Sequence, residues 1–98
     1  MKKDNYKTDV IFRVDKDETV FAIFPHSVCT HSGLVTTYEH VGQHSGGDYN
    51  RCINKSKLVT EAQFRSLKQE MESLGYNLQI RKKRNYAKYL AEYKKINS

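Results

Sequence analysis

The 98-residue chain has no tryptophan, a single proline and only two cysteines. It also has no apolar run near the ~20 residues that a membrane-spanning helix needs. That absence excludes a helical membrane anchor within the sequence. The opening segment, MKKDNYKTDV, is basic but lacks an apolar core, so it does not read as a secretory signal. Cys29 and Cys52 are too few for a disulfide scaffold, and free thiols in a reducing cytoplasm are the expected state. Repeats, low-complexity tracts and flexible linkers are missing as well. The expectation is one domain over 1–98, with 85–98 as a C-terminal helix at its periphery. No GxSxG, P-loop, HExxH or CxxC pattern occurs, so no recognised catalytic or cofactor motif is present.

What is present is charge, unevenly placed. Residues 1–54 carry six Lys/Arg against seven Asp/Glu, whereas residues 55–98 carry eleven against four. The net charge of +6 therefore belongs to the second half. A basic half favours a polyanion, DNA or RNA, or an acidic protein surface.

Hydrophobic periodicity organises the chain. Lys7 to Val14 reads as a strand with Val10, Phe12 and Val14 on one face, followed by a charged turn at residues 15–18. Val20 to Phe24 is apolar on both faces and suits a central strand, with Pro25 expected to end it. Leu34 to Val41 reads as a third strand, the Ser45-Gly46-Gly47-Asp48 cluster as a turn, and Tyr49 to Ile53 as a short fourth strand. Thr60 followed by Glu61-Ala62-Gln63 is a capping box, and Phe64, Leu67, Met71 and Leu74 recur at helical spacing up to Gly75. Tyr76 to Ile80 alternates like a half-buried strand. Tyr86 to Ile96 reads as a last helix. The predicted fold class is α+β: a small, mostly antiparallel sheet in the order β-β-β-(β)-α-β-α, covered by the first helix.

Three groups of residues can carry chemistry. Arg81, Lys82, Lys83, Arg84 and Lys88, with Lys94 and Lys95 beyond, supply the clustered cations that phosphate neutralisation needs. Tyr86 and Tyr93 lie among them, where rings can stack on unpaired bases or pack the helix onto the sheet. The second group is the four histidines, His26, His31, His40 and His44, with Cys29 and Cys52 nearby. Cys29-x-His31 and His40-x₃-His44 have pair spacing for zinc but match no zinc-finger pattern. No metal or other cofactor is expected. The third is an acid–base alternative, in which His40 or His44 is oriented by Glu39, Asp48 or Tyr49, with Cys52 as a nucleophile.

From Val10 to about Lys83 the chain also resembles a group of small proteins encoded by bacteria, plasmids and phages. The resemblance is carried by Val10-Ile11-Phe12-Arg13, Ala22-Ile23-Phe24-Pro25, Tyr38-Glu39-His40-Val41-Gly42-Gln43-His44, and Leu67-Lys68-Gln69-Glu70 leading to Leu74-Gly75-Tyr76. It implies a phage or mobile-element setting and singles out His40, Gln43 and His44 as a polar site. It implies no catalytic role. The resulting expectation is a non-enzymatic binding protein that contacts nucleic acid through its basic C-terminal segment. The rivals are an adaptor or inhibitor of an acidic protein, and a small metal protein or enzyme using His40 and His44.

Overall fold

A computed structural model describes residues 7–39 and 43–97. Its elements run β1 (Thr8–Asp15), β2 (Val20–Val28), β3 (Val35–Glu39), β4 (Gln43–Gly47), α1 (Tyr49–Asn54), β5 (Ser56–Leu58), α2 (Glu61–Ser73), β6 (Leu78–Ile80) and α3 (Tyr86–Asn97). The α+β class stands. The sheet has the order β4-β3-β2-β1-β5, antiparallel throughout, and β6 joins β1 in parallel. The two short strands share one edge of β1. Thr8, Asp9 and Val10 face Leu78, Gln79 and Ile80, while Arg13, Val14 and Asp15 face Leu58, Lys57 and Ser56.

Alternation along the strands divides the core into two layers. Val10, Phe12, Ala22, Phe24 and Tyr38 point to one face and meet Phe64, Leu67 and Met71 of α2. The Phe12 and Phe64 rings stack with centroids 4.4 Å apart, and each buried α2 side chain contributes about 1.5–3 kcal/mol. Ile11, Phe21, Ile23 and Val35 point to the other face, where Tyr49, Cys52 and Ile53 of α1 and Tyr89 of α3 cover them. The sheet is therefore sandwiched, not covered by one helix. On α2 the capping box forms as the sequence implies, with Thr60 accepting from the Gln63 amide and Gln63 accepting from the Thr60 amide. Gly75 takes the left-handed conformation (φ +106°) just past the helix end. Leu74, expected on the apolar stripe, is instead exposed at the C-cap.

Three local expectations are corrected. Pro25 does not end β2. It is buried inside the strand, in the stretch between Ile23 and Val28 where the register to β3 shifts. A bulge of this kind removes the ladder bond that proline cannot donate. Gly46 and Gly47 form no turn; they lie in β4, paired with Thr36 and Val35. A Cβ on Gly46 would meet the Cys29 Sγ at 3.1 Å, and one on Gly47 the Cys52 Sγ at 3.0 Å. These glycines serve close approach rather than chain reversal. Because consecutive strand residues face opposite sides, the two thiols lie on opposite faces of the sheet, and both are free. Finally, Tyr49 to Ile53 is helical. The Asp48 side chain caps it by accepting from the Arg51 amide at 3.1 Å.

Candidate nucleic-acid interface

The basic segment begins where β6 ends. The Arg81 amide donates to the Val10 carbonyl at 2.7 Å, which continues the parallel pairing by one residue. Two further backbone amides are then held by side chains. The Arg84 amide donates to the Tyr49 hydroxyl at 2.9 Å, and the Asn85 amide donates to His26 Nε2 at 2.8 Å. Asn85 in turn caps α3, its side-chain oxygen accepting from the Lys88 amide at 3.2 Å. The chain from Arg81 to Asn85 is thus pinned at three points. Lys82 and Lys83 sit on the bend between them.

Asp9 organises the cations around this bend. Its carboxylate accepts from Arg81 Nε at 3.0 Å and from Lys88 Nζ at 3.5 Å. Since His26 Nε2 is occupied by the Asn85 amide, the ring proton is on Nδ1 and is donated to Asp9 at 3.0 Å. Burial alone would raise the Asp9 pKa. The Arg81 hydrogen bond and the charges of Lys88, Arg81 and His26 outweigh it and hold the carboxyl below its ordinary value. For His26, burial lowers the pKa and the Lys88 and Arg81 charges add to that, against the opposing pull of Asp9. With both ring nitrogens engaged, by Asp9 and by the Asn85 amide, the imidazole is a structural link and its Nε2 is not presented to solvent as a base.

Arg84 behaves differently. Its guanidinium carbon lies 4.3 Å from the ring centroids of both Tyr49 and Tyr89 and 5.2 Å from that of Tyr86. It is a cation held among aromatic faces, a contact worth about 0.5–1 kcal/mol per exposed site and more when desolvated. Tyr86, Tyr89 and Tyr93 follow one another along α3, with centroids 5.9 and 6.1 Å apart. Tyr93 is half-buried against Tyr89 and Gly33, so its ring packs the helix. Tyr86 is 58% exposed.

These parts line one cleft of about 420 Å³, formed by Asp9, His26, Arg81, Lys82, Lys83, Arg84, Asn85 and Lys88. Five cations face one carboxylate there, a surplus of four. Lys82 and Lys83 have no ion-pair partner among the described residues. Lys94 and Lys95 do not join the cluster. They occupy the last turn of α3, with Lys95 bound to Glu92 at 3.1 Å, roughly 9 Å beyond Lys88 at 1.5 Å per residue. Asp9 and Asn85 carry no signal in the sequence that marks them as site residues, and His26 stands out there only as one of the four histidines.

The histidine segment is dispersed. His40 lies outside the described residues, as does the side chain of Gln43, whose backbone pairs with Glu39. His44 packs edge-on to Tyr38, with centroids 4.7 Å apart, and its Nε2 bonds the Tyr76 hydroxyl at 2.8 Å. That is a packing role on the α2 face. Cys52, the nucleophile of the acid–base alternative, has its thiol pKa pushed up by burial and then by the Asp48 charge, the opposite of activation. Among the described residues no three His, Cys, Asp or Glu side chains converge as a metal site, and no described helix is long and apolar enough to cross a membrane. Comparison with family models, curated proteins and solved structures gave no match.

Proposed function

We propose that the protein binds nucleic acid through the cleft between β6 and α3, with Lys82, Lys83, Arg81, Arg84 and Lys88 as its phosphate-facing cations. One observation carries the reading: five cations border one cleft that holds a single carboxylate, and three of them, Lys82, Lys83 and Arg84, have no ion-pair partner among the described residues. A pinned backbone supports it, because a turn that is already fixed loses little backbone entropy when its cations meet phosphate. The N-terminus of α3, equivalent to roughly half a positive charge, adds to the same field. The phage or mobile-element setting implied by the resemblance suits a small protein of this kind.

The test is binding to a labelled generic oligonucleotide as salt is raised. A surplus of four charges gives a log–log slope of about −2.8 for a single strand, or roughly a 50-fold loss between 50 and 200 mM salt. Reversing both free cations (Lys82→Glu with Lys83→Glu) cancels the surplus and should abolish binding while leaving the thermal midpoint in place. No binding at low salt would sink the proposal. Equal competition by polyglutamate of the same charge would reassign the surface to an acidic protein.

A further inference from the structure

Beside the cleft, the aromatic side chains are arranged in a way that phosphate binding does not require. Tyr93, Tyr89 and Tyr86 form a ladder along α3, and the Arg84 guanidinium lies against Tyr49, Tyr89 and Tyr86. The inner rings are half-buried, and Tyr89 is anchored by a 3.0 Å hydrogen bond from its hydroxyl to the Gly33 carbonyl. The ladder ends outward, on the exposed ring of Tyr86. That ring is next in sequence to Asn85, at the cleft wall, and is joined to the cleft by Arg84.

We infer that the site selects single-stranded nucleic acid, its backbone lying along Lys82 and Lys83 and an unpaired base stacking on Tyr86. The inference rests on the nucleic-acid reading above and names the form of the partner. Three physical points favour it. A base has an accessible π-face only when it is out of the duplex stack, and flipping one from a duplex costs a few kcal/mol. A ring already held against Arg84 and Tyr89 loses little freedom when a base covers it, so most of the stacking gain is kept. The cleft is also small. At about 420 Å³ it is roughly 7.5 Å across if equidimensional, which admits one backbone but not a whole duplex, whose major groove alone is ~12 Å wide.

Removal of one stacking aromatic weakens single-strand binding by about 1–3 kcal/mol, which is roughly 5- to 150-fold. The measurement is fluorescence anisotropy of the full chain with a labelled oligothymidylate of about 12 nucleotides, within the usual site sizes for such grooves, and with the same strand annealed to oligodeoxyadenylate. The expected result is preference for the free strand, lost in Tyr86→Ala and kept in Tyr86→Phe. Because the chain has no tryptophan, Tyr86→Trp adds a unique fluorophore whose emission the oligothymidylate, and not the duplex, should quench. Equal affinity for strand and duplex, or binding indifferent to Tyr86→Ala, would overturn the inference. If Lys82→Glu with Lys83→Glu still abolished that binding, the nucleic-acid reading would survive on its own. Absence of binding to both probes would remove both.

Discussion

Gly33 offers the sharpest test of how the basic turn is held in place. It precedes β3 with φ +97°, a region that favours glycine, and a Cβ built there would lie 2.5 Å from the Tyr89 hydroxyl. That hydroxyl donates to the Gly33 carbonyl, so the two residues form the clasp between α3 and the sheet. Gly33→Ala therefore acts twice. It places an L side chain in a left-handed conformation, at about 1–2 kcal/mol, and it displaces the Tyr89 ring, losing a hydrogen bond of about 0.5–1.5 kcal/mol. Part of the Arg84 contact with that ring goes too. Together these predict a destabilisation of about 2–4 kcal/mol, or on the order of 10–20 °C in thermal midpoint for a domain of this size. At an unstrained position the same change would stabilise by about 0.4–1 kcal/mol, so the sign alone is informative. Urea unfolding in parallel with Tyr89→Phe completes a double-mutant cycle. The alanine should cost about 1 kcal/mol less when the hydroxyl is already gone. A Gly33→Ala protein as stable as the parent, or a cost identical in both backgrounds, would refute the clasp.

Two further outcomes are expected. Arg13 is 8% exposed and spends its guanidinium on neutral acceptors, the Ser56 hydroxyl at 2.8 Å and the carbonyls of Ile53 and Ser56 at 3.1 and 2.7 Å. Arg13→Leu strands those carbonyls and should cost about 3 kcal/mol in urea unfolding, with Arg13→Lys recovering part of it. Acid should destabilise the fold through Asp9 and His26. The Asp9 contribution is complete above its unfolded value of 3.8 and is lost as pH falls through its lower folded value. The folded-state pKa of His26 is likewise below its unfolded 6.5, so the folded chain binds fewer protons and stability starts to fall as pH drops below 6.5. Unfolding midpoints taken on either side of pH 6.5 should show this decline, and His26→Gln should remove it.

Sequence patterns located the elements whose signal is local. The α2 helix was legible because the capping box and the Phe64, Leu67, Met71 spacing agree with each other. The β1 strand was legible because Val10 and Phe12 share one face of the sheet, although Ile11 between them is buried on the other. Local patterns mislead where one residue type has two uses. Glycine in Gly46-Gly47 reads as a turn, yet here it makes room for thiols. Tyr49, Cys52 and Ile53 have helical spacing as well as strand-favouring composition, and the Asp48 cap decides for helix. The cations of the site were visible as a run. Their organiser was not, because Asp9 stands 72 residues from Arg81 and meets it only through the parallel pairing of Thr8 with Leu78. That register is a tertiary fact with no local signature.

That single carboxylate explains how a dense basic cluster is compatible with a folded domain. Arg81, Lys82, Lys83, Arg84 and Lys88 would repel one another if crowded around one cleft without compensation. Asp9 draws Arg81 and Lys88 together, and His26 ties the same carboxylate to the start of α3. Arg84 is accommodated by aromatic faces instead of an anion. The stabilising counter-groups are therefore used on the cations that fix the turn, and the two at its tip are left without any among the described residues. A fold that neutralised all five would be more stable and would have no surplus to offer a phosphate. One that neutralised none would lack the fixed turn from which Lys82 and Lys83 are displayed.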